Sequence, residues 1–300
     1  MQPLPLVIAH RGASGHRPEH TLEAYELGIA MGADFIEPDL VITKDGILIA
    51  RHENEISETT DVSSRPELAD RRTTKRIDGL AVTGWFTEDF TLAEIKTLRA
   101  RERLPFRDHS YDGRFEIPTF EEVLDLAVRR GVGVYPETKH PSYFRGIGLP
   151  LEEPLLDALE KRGWTGRDAP VFIQSFETGN LRELRKQTGV RLIQLLEAEG
   201  HGPPSLEDLA WIATYADGIG PDKRLIVPRD HDGRLLPPTS LVEDAHRAGL
   251  AVHPWTFRSD PQFLAPEYDG WPEREIEQFY ELGVDGVFSD FPDIAARMKR

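Results

Sequence analysis

The 300-residue sequence predicts a (β/α)8 barrel of the TIM type, because short apolar runs alternate with amphipathic stretches along the whole chain. The apolar runs are nearly continuous, which is typical of strands that are buried on both faces of a parallel sheet. Several amphipathic stretches end at a glycine, as the C-termini of helices commonly do. A doubly wound open sheet is the alternative, although no G-x-G-x-x-G motif follows the first strand.

The predicted elements follow one another in a regular order. The predicted strands span residues 6–9, 34–42, 47–50, 132–135, 171–174, 192–196, 218–220, 250–255 and 286–288. The predicted helices span residues 21–31, 120–130, 155–162, 181–187, 206–214, 241–248 and 275–282. The gap between the second and third strands is too short for a parallel crossover, so these strands form an antiparallel hairpin with Asp45-Gly46 at its tip. Eight strands then remain for the barrel.

Residues 54–117 interrupt this rhythm. The segment is polar and irregular, and a connection of that length inside a compact domain is usually a lid or a small insertion. We therefore predict one catalytic barrel domain over residues 1–300, with residues 54–117 inserted after the third strand as a lid or small subdomain.

The charge balance restricts the kinds of partner. The chain has 36 Lys and Arg against 52 Asp and Glu, which gives a net charge of −16 and a pI near 5.1. Because this charge repels polyanions, we expect no nucleic-acid partner and no stable association with a membrane. The chain has no cysteine, which excludes disulfides, thiolate catalysis and Cys-ligated zinc. The oligomeric state cannot be read from the sequence.

No targeting or membrane-spanning segment is apparent. No apolar stretch approaches the roughly 20 residues of a membrane helix, and the first residues lack a basic region followed by a signal core. We expect a soluble protein that is cytoplasmic as the sequence stands, or periplasmic or secreted if the natural precursor is longer.

Two acidic residues lie two positions apart on the second predicted strand. Glu37 and Asp39 therefore point to the same side, and burying both favours a bound cation. An exposed acidic face, or neutralisation by arginine, is the alternative. Folding the hairpin about its tip places residues whose numbers sum to about 91 opposite one another, so we expect Asp39 to face His52, or Glu37 after a slip. A further histidine, His10, ends the first strand.

Other polar residues follow later strands. Glu137 and Lys139 come directly after the strand at 132–135, and they are either a third metal ligand with a phosphate contact or a surface ion pair. All these groups lie at the C-terminal ends of strands, which is the catalytic face of a (β/α)8 barrel. Three carboxylates suit Ca²⁺ or Mg²⁺, and two histidines suit acid–base catalysis. Phe176 and Trp255 also end strands, where aromatic side chains line a pocket or belong to the core.

The sequence resembles the glycerophosphodiester phosphodiesterase family along its whole length. The matching stretches are HRG at 10–12, PEHT at 18–21, GADFIEPD at 32–39, TKDG at 43–46, TTDV at 59–62, ETK at 137–139, QSF at 174–176, ADGIGPD at 216–222, VHPWT at 252–256 and FSDFP at 288–292. The PEHT and DGIGPD stretches and the long insertion are most similar to the exported, periplasmic-type bacterial branch. The resemblance implies a barrel of the phospholipase C-like phosphodiesterase type.

The resemblance also implies an activity. It is the hydrolysis of glycerophosphodiesters to sn-glycerol 3-phosphate and an alcohol, with one divalent cation that the exported branch suggests is Ca²⁺ in preference to Mg²⁺. It places Glu37, Asp39 and Glu137 at the metal-ligand positions and His10 with His52 as the acid–base pair. In the family the attacking group is thought to be the neighbouring glycerol hydroxyl, which gives a cyclic phosphate that water then opens.

The remaining implied positions concern the substrate. Arg11 and Lys139 match the residues that hold the phosphate, while Phe176 and Trp255 match aromatic residues of the glycerol or headgroup pocket. Two departures stand out: His20 replaces the asparagine of many members, and Glu53 replaces an aspartate after His52. We expect neither to contact a metal ligand, and we expect activity to survive both.

Two other functions compete with this one. A lysophospholipase D-type phosphodiesterase on the same barrel would need an apolar rim, for which the insertion offers Leu80, Val82, Trp85, Phe86 and Phe90 unless these form its own core. A non-catalytic binding protein for phosphodiesters is the second alternative, but the sequence retains every implied catalytic residue.

Overall fold

The computed structural model describes residues 4–199 and 202–299. Its strands are β1 (Leu6–His10), β2 (Phe35–Glu37), β3 (Asp39–Ile42), β4 (Leu48–Ala50), β5 (Thr73–Ile77), β6 (Leu80–Gly84), β7 (Gly133–Val134), β8 (Glu137–Thr138), β9 (Phe172–Ser175), β10 (Arg191–Leu196), β11 (Gly218–Pro221), β12 (Ala251–Val252) and β13 (Gly286–Ser289).

The helices lie between the strands. They are α1 (Leu22–Ala30), α2 (Leu92–Ile95), α3 (Phe120–Arg130), α4 (Pro141–Gly146), α5 (Glu152–Glu160), α6 (Thr178–Arg185), α7 (Leu206–Ile212), α8 (Leu241–Arg247), α9 (Pro272–Glu281) and α10 (Pro292–Met298). Helices α2, α4 and α10 were not expected from the sequence. None of the helices in the described residues is long and apolar enough to cross a membrane.

The strands form a parallel barrel, which confirms the predicted fold class. One sheet has the order β13-β1-β2-β7, and a second has the order β12-β11-β10-β9-β8-β3-β4. β3 continues β2 after Pro38, and β8 continues β7 after Tyr135 and Pro136, so the two sheets join where proline removes a backbone donor. On the other side the Asp285 amide donates to the Val252 carbonyl at 2.9 Å, which closes the barrel.

The local sequence explains where α3 begins and ends. The Thr119 hydroxyl accepts from the Glu122 amide at 3.2 Å, and the Glu122 carboxylate accepts from the Thr119 amide at 2.7 Å, which is a capping box. The helix ends at Gly131, whose φ of 68° is left-handed. Its apolar face then covers the barrel strands.

The hairpin formed by β3 and β4 is antiparallel, as predicted, but its register is not the predicted one. Leu40 stands opposite Ala50, and the Arg51 amide donates to the Asp39 carbonyl at 3.0 Å. The expected pairing of Asp39 with His52 is therefore wrong by one residue. The cause is a three-residue loop, 44–46, in which Gly46 has a φ of +79°, where a two-residue turn would have given the other register.

Residues 54–117 pack on the barrel through their own apolar side chains. Trp85, Phe86 and Phe90 are buried, and Trp85 and Phe90 belong to the same apolar core as the barrel strands. Leu80, at the turn between β5 and β6, is 71% exposed. These aromatic residues therefore form a core and do not themselves provide the apolar rim that a lysolipid enzyme needs.

The barrel interior is filled beneath the catalytic face. Ring centroids of Tyr135 and Phe172 lie 4.9 Å apart in a stacked arrangement, and Phe288 meets Tyr135 edge to face at the same distance. The Tyr135 hydroxyl lies 2.8 Å from Nδ1 of the buried His253. A ligand can therefore reach the strand ends only from the open face.

Gly12, in the turn after β1, is expected to be essential for stability. Its φ is +88°, and an added Cβ would lie 2.5 Å from the Ala24 carbonyl carbon, which is backbone and cannot move aside. We predict that Gly12→Ala lowers the free energy of unfolding by about 2–5 kcal/mol, the sum of left-handed strain and overpacking.

The matched control for this variant is Gly131→Ala. Gly131 also has a left-handed φ, but a Cβ added there would have no atom within 4 Å. The control should therefore lose only about 1–2 kcal/mol. Equal losses for the two variants in urea-induced unfolding would contradict the packing argument.

Candidate active site

A cavity of about 1230 Å³ opens at the C-terminal ends of the strands. This is the face on which parallel barrels carry their active sites. The residues predicted from the sequence that line it are His10, Arg11, Glu37, His52, Glu137, Lys139, Phe176 and Trp255. Asp39 lies directly beside them, so the fold brings every predicted site residue to one place.

Glu37, Asp39 and Glu137 form a buried cluster of three carboxylates. Each offers an oxygen within 4.8 Å of the others, and none of the three residues is more than 6% exposed. The register explains the cluster: Glu37 and Asp39 flank Pro38, and Asp39 pairs with Glu137 across β3 and β8. A second acidic group, at residues 230–232, lies on a mostly exposed loop.

Positive and polar groups partly neutralise the cluster. Arg11 Nε lies 3.2 Å from Asp39 Oδ2, and Lys139 Nζ lies 3.4 Å from Glu137 Oε1. Glu37 accepts from the Arg11 amide at 2.9 Å and from the Gln174 side chain at 3.1 Å. Two cations therefore face three carboxylates.

The pKa values in this site follow from that imbalance. Burial and the neighbouring Asp39 raise the pKa of Glu37 well above its ordinary value, and burial raises the pKa of Glu137 to about 8 despite Lys139. Burial alone would also raise the pKa of Asp39, but Arg11 and His20 hold it well below its usual range. The metal-free cluster thus keeps protons that a cation would replace.

The donor set fits a hard divalent cation. Glu137 Oε1 is buried and makes no hydrogen bond among the described residues, although Lys139 Nζ lies 3.4 Å from it, so it has room for a further ligand. Three carboxylates with no thiolate are the ligands that Ca²⁺ and Mg²⁺ prefer. Glu37, Asp39 and Glu137 would be the ligands.

His10 is supported by a carboxylate to which the sequence did not point. Its Nδ1 lies 2.6 Å from Asp290 Oδ1, which follows β13 in the FSDFP stretch. Burial and Arg11 lower the pKa of His10 to about 4, so the imidazole is neutral and donates from Nδ1 to Asp290. Its Nε2 is then a proton acceptor.

His52 has the same arrangement on the other side of the cluster. Its Nδ1 lies 3.0 Å from Glu53 Oε1, and its Nε2 lies 3.1 Å from Lys139 Nζ. Burial, Arg11 and Lys139 lower the pKa of His52 to about 3, so it is neutral and Nε2 accepts from Lys139. Glu53 is itself held by His140 at 2.7 Å.

The expectation that His20 would not touch a proposed metal ligand is wrong. His20 is fully buried, with Nε2 2.9 Å from Asp39 Oδ2 and Nδ1 2.7 Å from the Tyr25 hydroxyl. Arg51, also buried, donates to the His20 carbonyl at 2.7 Å and holds that loop in place. The PEHT stretch contained the signal for His20, whereas nothing local pointed to Arg51.

The two predicted aromatic residues meet at the cavity wall. Phe176 and Trp255 pack edge to face with ring centroids 5.8 Å apart, and Lys139 Nζ lies 5.5 Å from the Phe176 ring centre. Trp255 is fixed by donating from Nε1 to the Gly220 carbonyl at 2.7 Å. This pair gives the cavity an apolar wall beside the polar centre.

Two arginines of the 54–117 segment reach the site. Arg103 Nε lies 3.0 Å from Glu19 Oε2, whose carboxylate also pairs with Arg11. Arg107 Nη2 lies 2.6 Å from Asp290 Oδ2 and 2.7 Å from Asp260 Oδ2. The segment thus contacts the groups that support His10 and Arg11.

The sequence of this chain matches a known family and several named relatives. Residues 10–294 match the model of the glycerophosphoryl diester phosphodiesterase family. A glycerophosphodiester phosphodiesterase of Arabidopsis thaliana is 40% identical over 312 residues, which cover 96% of this chain and 84% of the relative. One of Bacillus subtilis is 33% identical over 303 residues, which cover 98% and 86%.

Solved structures of similar proteins have the same fold. A glycerophosphoryl diester phosphodiesterase from Silicibacter pomeroyi aligns with a TM-score of 0.73 at 23% identity, covering 99% of this chain and 94% of that one. A phosphodiesterase from Oleispira antarctica, in complex with the product sn-glycerol-3-phosphate, has a TM-score of 0.69 at 23% identity, with 98% and 96% covered. With its barrel, its catalytic face and these relatives, the chain belongs to the glycerophosphoryl diester phosphodiesterase family of enzymes.

Proposed function

We propose that this enzyme hydrolyses small-molecule glycerophosphodiesters to sn-glycerol 3-phosphate and an alcohol, using one divalent cation and a pair of histidines. The observation that carries the proposal is the buried cluster of Glu37, Asp39 and Glu137, lying between His10 and His52. The product in the Oleispira antarctica complex is the product expected here.

Ca²⁺ is the proposed cation, in preference to Mg²⁺. Mg²⁺ usually keeps several waters and takes one or two carboxylates, whereas Ca²⁺ accepts a larger set of protein oxygens. Three buried carboxylates fit the second pattern better. The resemblance to the exported bacterial branch supports the same choice. When bound, the cation would offset negative charge on the phosphoryl oxygens.

The cationic side chains would hold the phosphate. Arg11 and Lys139 both line the cavity at the cluster, and each already lies within 3.4 Å of one of its carboxylates. A bound phosphodiester would therefore meet fixed positive groups in a largely buried site, where they stabilise developing charge more strongly than in water.

The histidines would move the protons. One histidine is a neutral imidazole, and its Nε2 takes the proton from the attacking oxygen. The other histidine donates a proton to the departing alkoxide. The anionic phosphodiester raises the pKa of the histidine beside it, which supplies the acid form. Asp290 behind His10 and Glu53 behind His52 orient the rings and stabilise the imidazolium, as the carboxylate of a catalytic triad does.

The 54–117 segment is proposed to be a wall of the catalytic cavity within a single domain. Arg103, which lines the cavity, supports this proposal, and Arg107 anchors the segment, because its side chain is only 5% exposed and bridges Asp260 and Asp290. A lysophospholipase D-type activity has no such support, since the aromatic residues of the insertion that the sequence offered for its rim are buried.

His10→Ala and His52→Ala test the acid–base pair. Each variant should lower the rate of sn-glycerol 3-phosphate release from glycerophosphocholine by about 10²–10⁴-fold, the usual value of one general acid or base. His231→Ala is the control, because this side chain is 89% exposed and lies outside the cavity. Near-normal turnover in both variants would exclude the assignment.

Calorimetric titration with Ca²⁺ tests the metal site. The pKa of Glu137 is raised to about 8, so this group carries a proton near pH 7, and the raised pKa of Glu37 acts in the same direction. Binding should therefore release protons, and the affinity should rise from about pH 6 to about pH 8. The heat should vary with the ionisation enthalpy of the buffer. Glu137→Gln should abolish binding.

The control for that titration is Asp230→Asn, in the other acidic group. It should leave Ca²⁺ binding unchanged. Binding that survives Glu137→Gln but is lost in Asp230→Asn would place the cation in the exposed loop and overturn the proposed site.

Arg107→Gln tests the contribution of the inserted segment. Loss of the contacts with Asp260 and Asp290 should lower kcat at least about tenfold, since a charge-assisted contact to the support of His10 is removed. Arg101→Gln is the matched control, because Arg101 is 41% exposed and its ion-pair partner, Asp112, lies in the same segment. Equal activity of both variants would contradict a role for Arg107.

A further inference from the structure

Two arginines in the cavity wall have no part in the chemistry proposed above. Arg103 comes from the 54–117 segment and Arg258 follows β12, and both line the same cavity as His10 and Arg11. Their side chains are 28% and 23% exposed, so they are mostly buried but open to the cavity. Because the whole chain has a net charge of −16, two arginines at the cavity wall create a local concentration of positive charge.

Both guanidinium groups use only one edge for contacts with protein. Arg103 Nε pairs with Glu19 at 3.0 Å, and Arg258 Nε pairs with Asp290 at 3.2 Å. Within residues 4–199 and 202–299, the side-chain hydrogen bonds of both arginines are made by Nε. The other face of Arg258 lies 4.5 Å from the Phe263 ring centre, which fixes its plane.

Neighbouring arginines differ in this respect. Both terminal nitrogens of Arg107 have partners, since Nη1 donates to the Ser14 carbonyl and Nη2 pairs with Asp260 and Asp290. Arg11 pairs with Glu19 and Asp39. Arg103 and Arg258 therefore differ from Arg107, because they line the cavity and their terminal nitrogens are not used in the side-chain hydrogen bonds described above.

The position of the two arginines relates them to the reacting phosphate. Arg103 is one carboxylate, Glu19, away from Arg11, and Arg258 is one carboxylate, Asp290, away from His10. The opposite side of the cavity carries Glu177, Glu197 and Glu199, which would repel a second anion.

We propose that Arg103 and Arg258 form a second anion subsite, which binds a phosphate monoester carried by the substrate beyond the scissile phosphodiester. The substrate class is a glycerophosphodiester whose alcohol is itself phosphorylated. This inference rests on the proposed function, because it assigns a binding site to the part of the substrate that the catalytic groups do not contact. Arginine suits this role since its planar fork binds phosphate through two donors.

The first experiment compares two substrates. One substrate is glycerophosphoglycerol, and the other is glycerophosphoglycerol that carries a terminal phosphate. We expect kcat/KM to be about tenfold or more higher for the phosphorylated substrate, which is the gain that one charge-assisted contact supplies. The ratio should fall towards one in Arg103→Gln with Arg258→Gln, and Arg258→Lys should retain part of it. A general loss of activity caused by disturbing Asp290 would affect both substrates equally and would therefore cancel in the ratio.

Arg101→Gln is the control, because it removes an equal charge from the same segment outside the cavity. It should leave the ratio unchanged. A wild-type ratio of one, or a ratio that the double variant does not alter, would overturn the subsite while leaving the phosphodiesterase activity established.

Binding provides a measurement that needs no turnover. Wild-type protein should bind glycerol 1,3-bisphosphate at least about tenfold more tightly than sn-glycerol 3-phosphate in calorimetric titrations, and the double variant should lose this difference. If neither substrate were hydrolysed but the selective binding remained, the proposed function would be wrong and the subsite would stand. Equal binding of the two ligands would sink the subsite.

Discussion

Three buried carboxylates determine the organisation of this active site. Glu37, Asp39 and Glu137 lie within 4.8 Å of one another in a region from which water is largely excluded, where like charges repel strongly. Arg11 and Lys139 offset part of this charge, and the raised pKa values of Glu37 and Glu137 favour protonation, which lowers the charge further. A divalent cation would satisfy the cluster without those protons. Arg11, Lys139 and the two histidines surround this cluster, so the need to balance its charge organises the site.

The barrel backbone creates the cluster. Pro38 lies between Glu37 and Asp39 and Pro136 precedes Glu137, so the two strands carrying the ligands change sheet partners at the same level. Histidines on neighbouring elements flank the cluster, each with its outer nitrogen bound to a carboxylate. Asp290 also binds Arg107, which connects the inserted segment to His10. Substrate binding, proton transfer and the packing of the insertion therefore share one set of contacts.

The sequence was sufficient for the parts that depend on local pattern. Alternating apolar and amphipathic runs identify the barrel, and the period of a strand places Glu37 and Asp39 on one face. The hairpin register failed by one residue because loop geometry, not length alone, sets the pairing. His20, Arg51 and Asp290 were missed as site residues because their contacts join distant segments: His10 and Asp290 are 280 positions apart. The periodic pattern of apolar and polar residues in a sequence does not indicate contacts between such distant segments.

Hydrolysis is proposed to depend on a cation held by the carboxylate cluster. Release of sn-glycerol 3-phosphate from glycerophosphocholine by metal-stripped protein, with Ca²⁺ or Mg²⁺ added back, measures this dependence directly. We expect no release without a cation, recovery that is greater with Ca²⁺, and no recovery in Glu37→Gln. Equal release by the metal-stripped wild type with and without added cation would show that the cluster does not hold a catalytic cation.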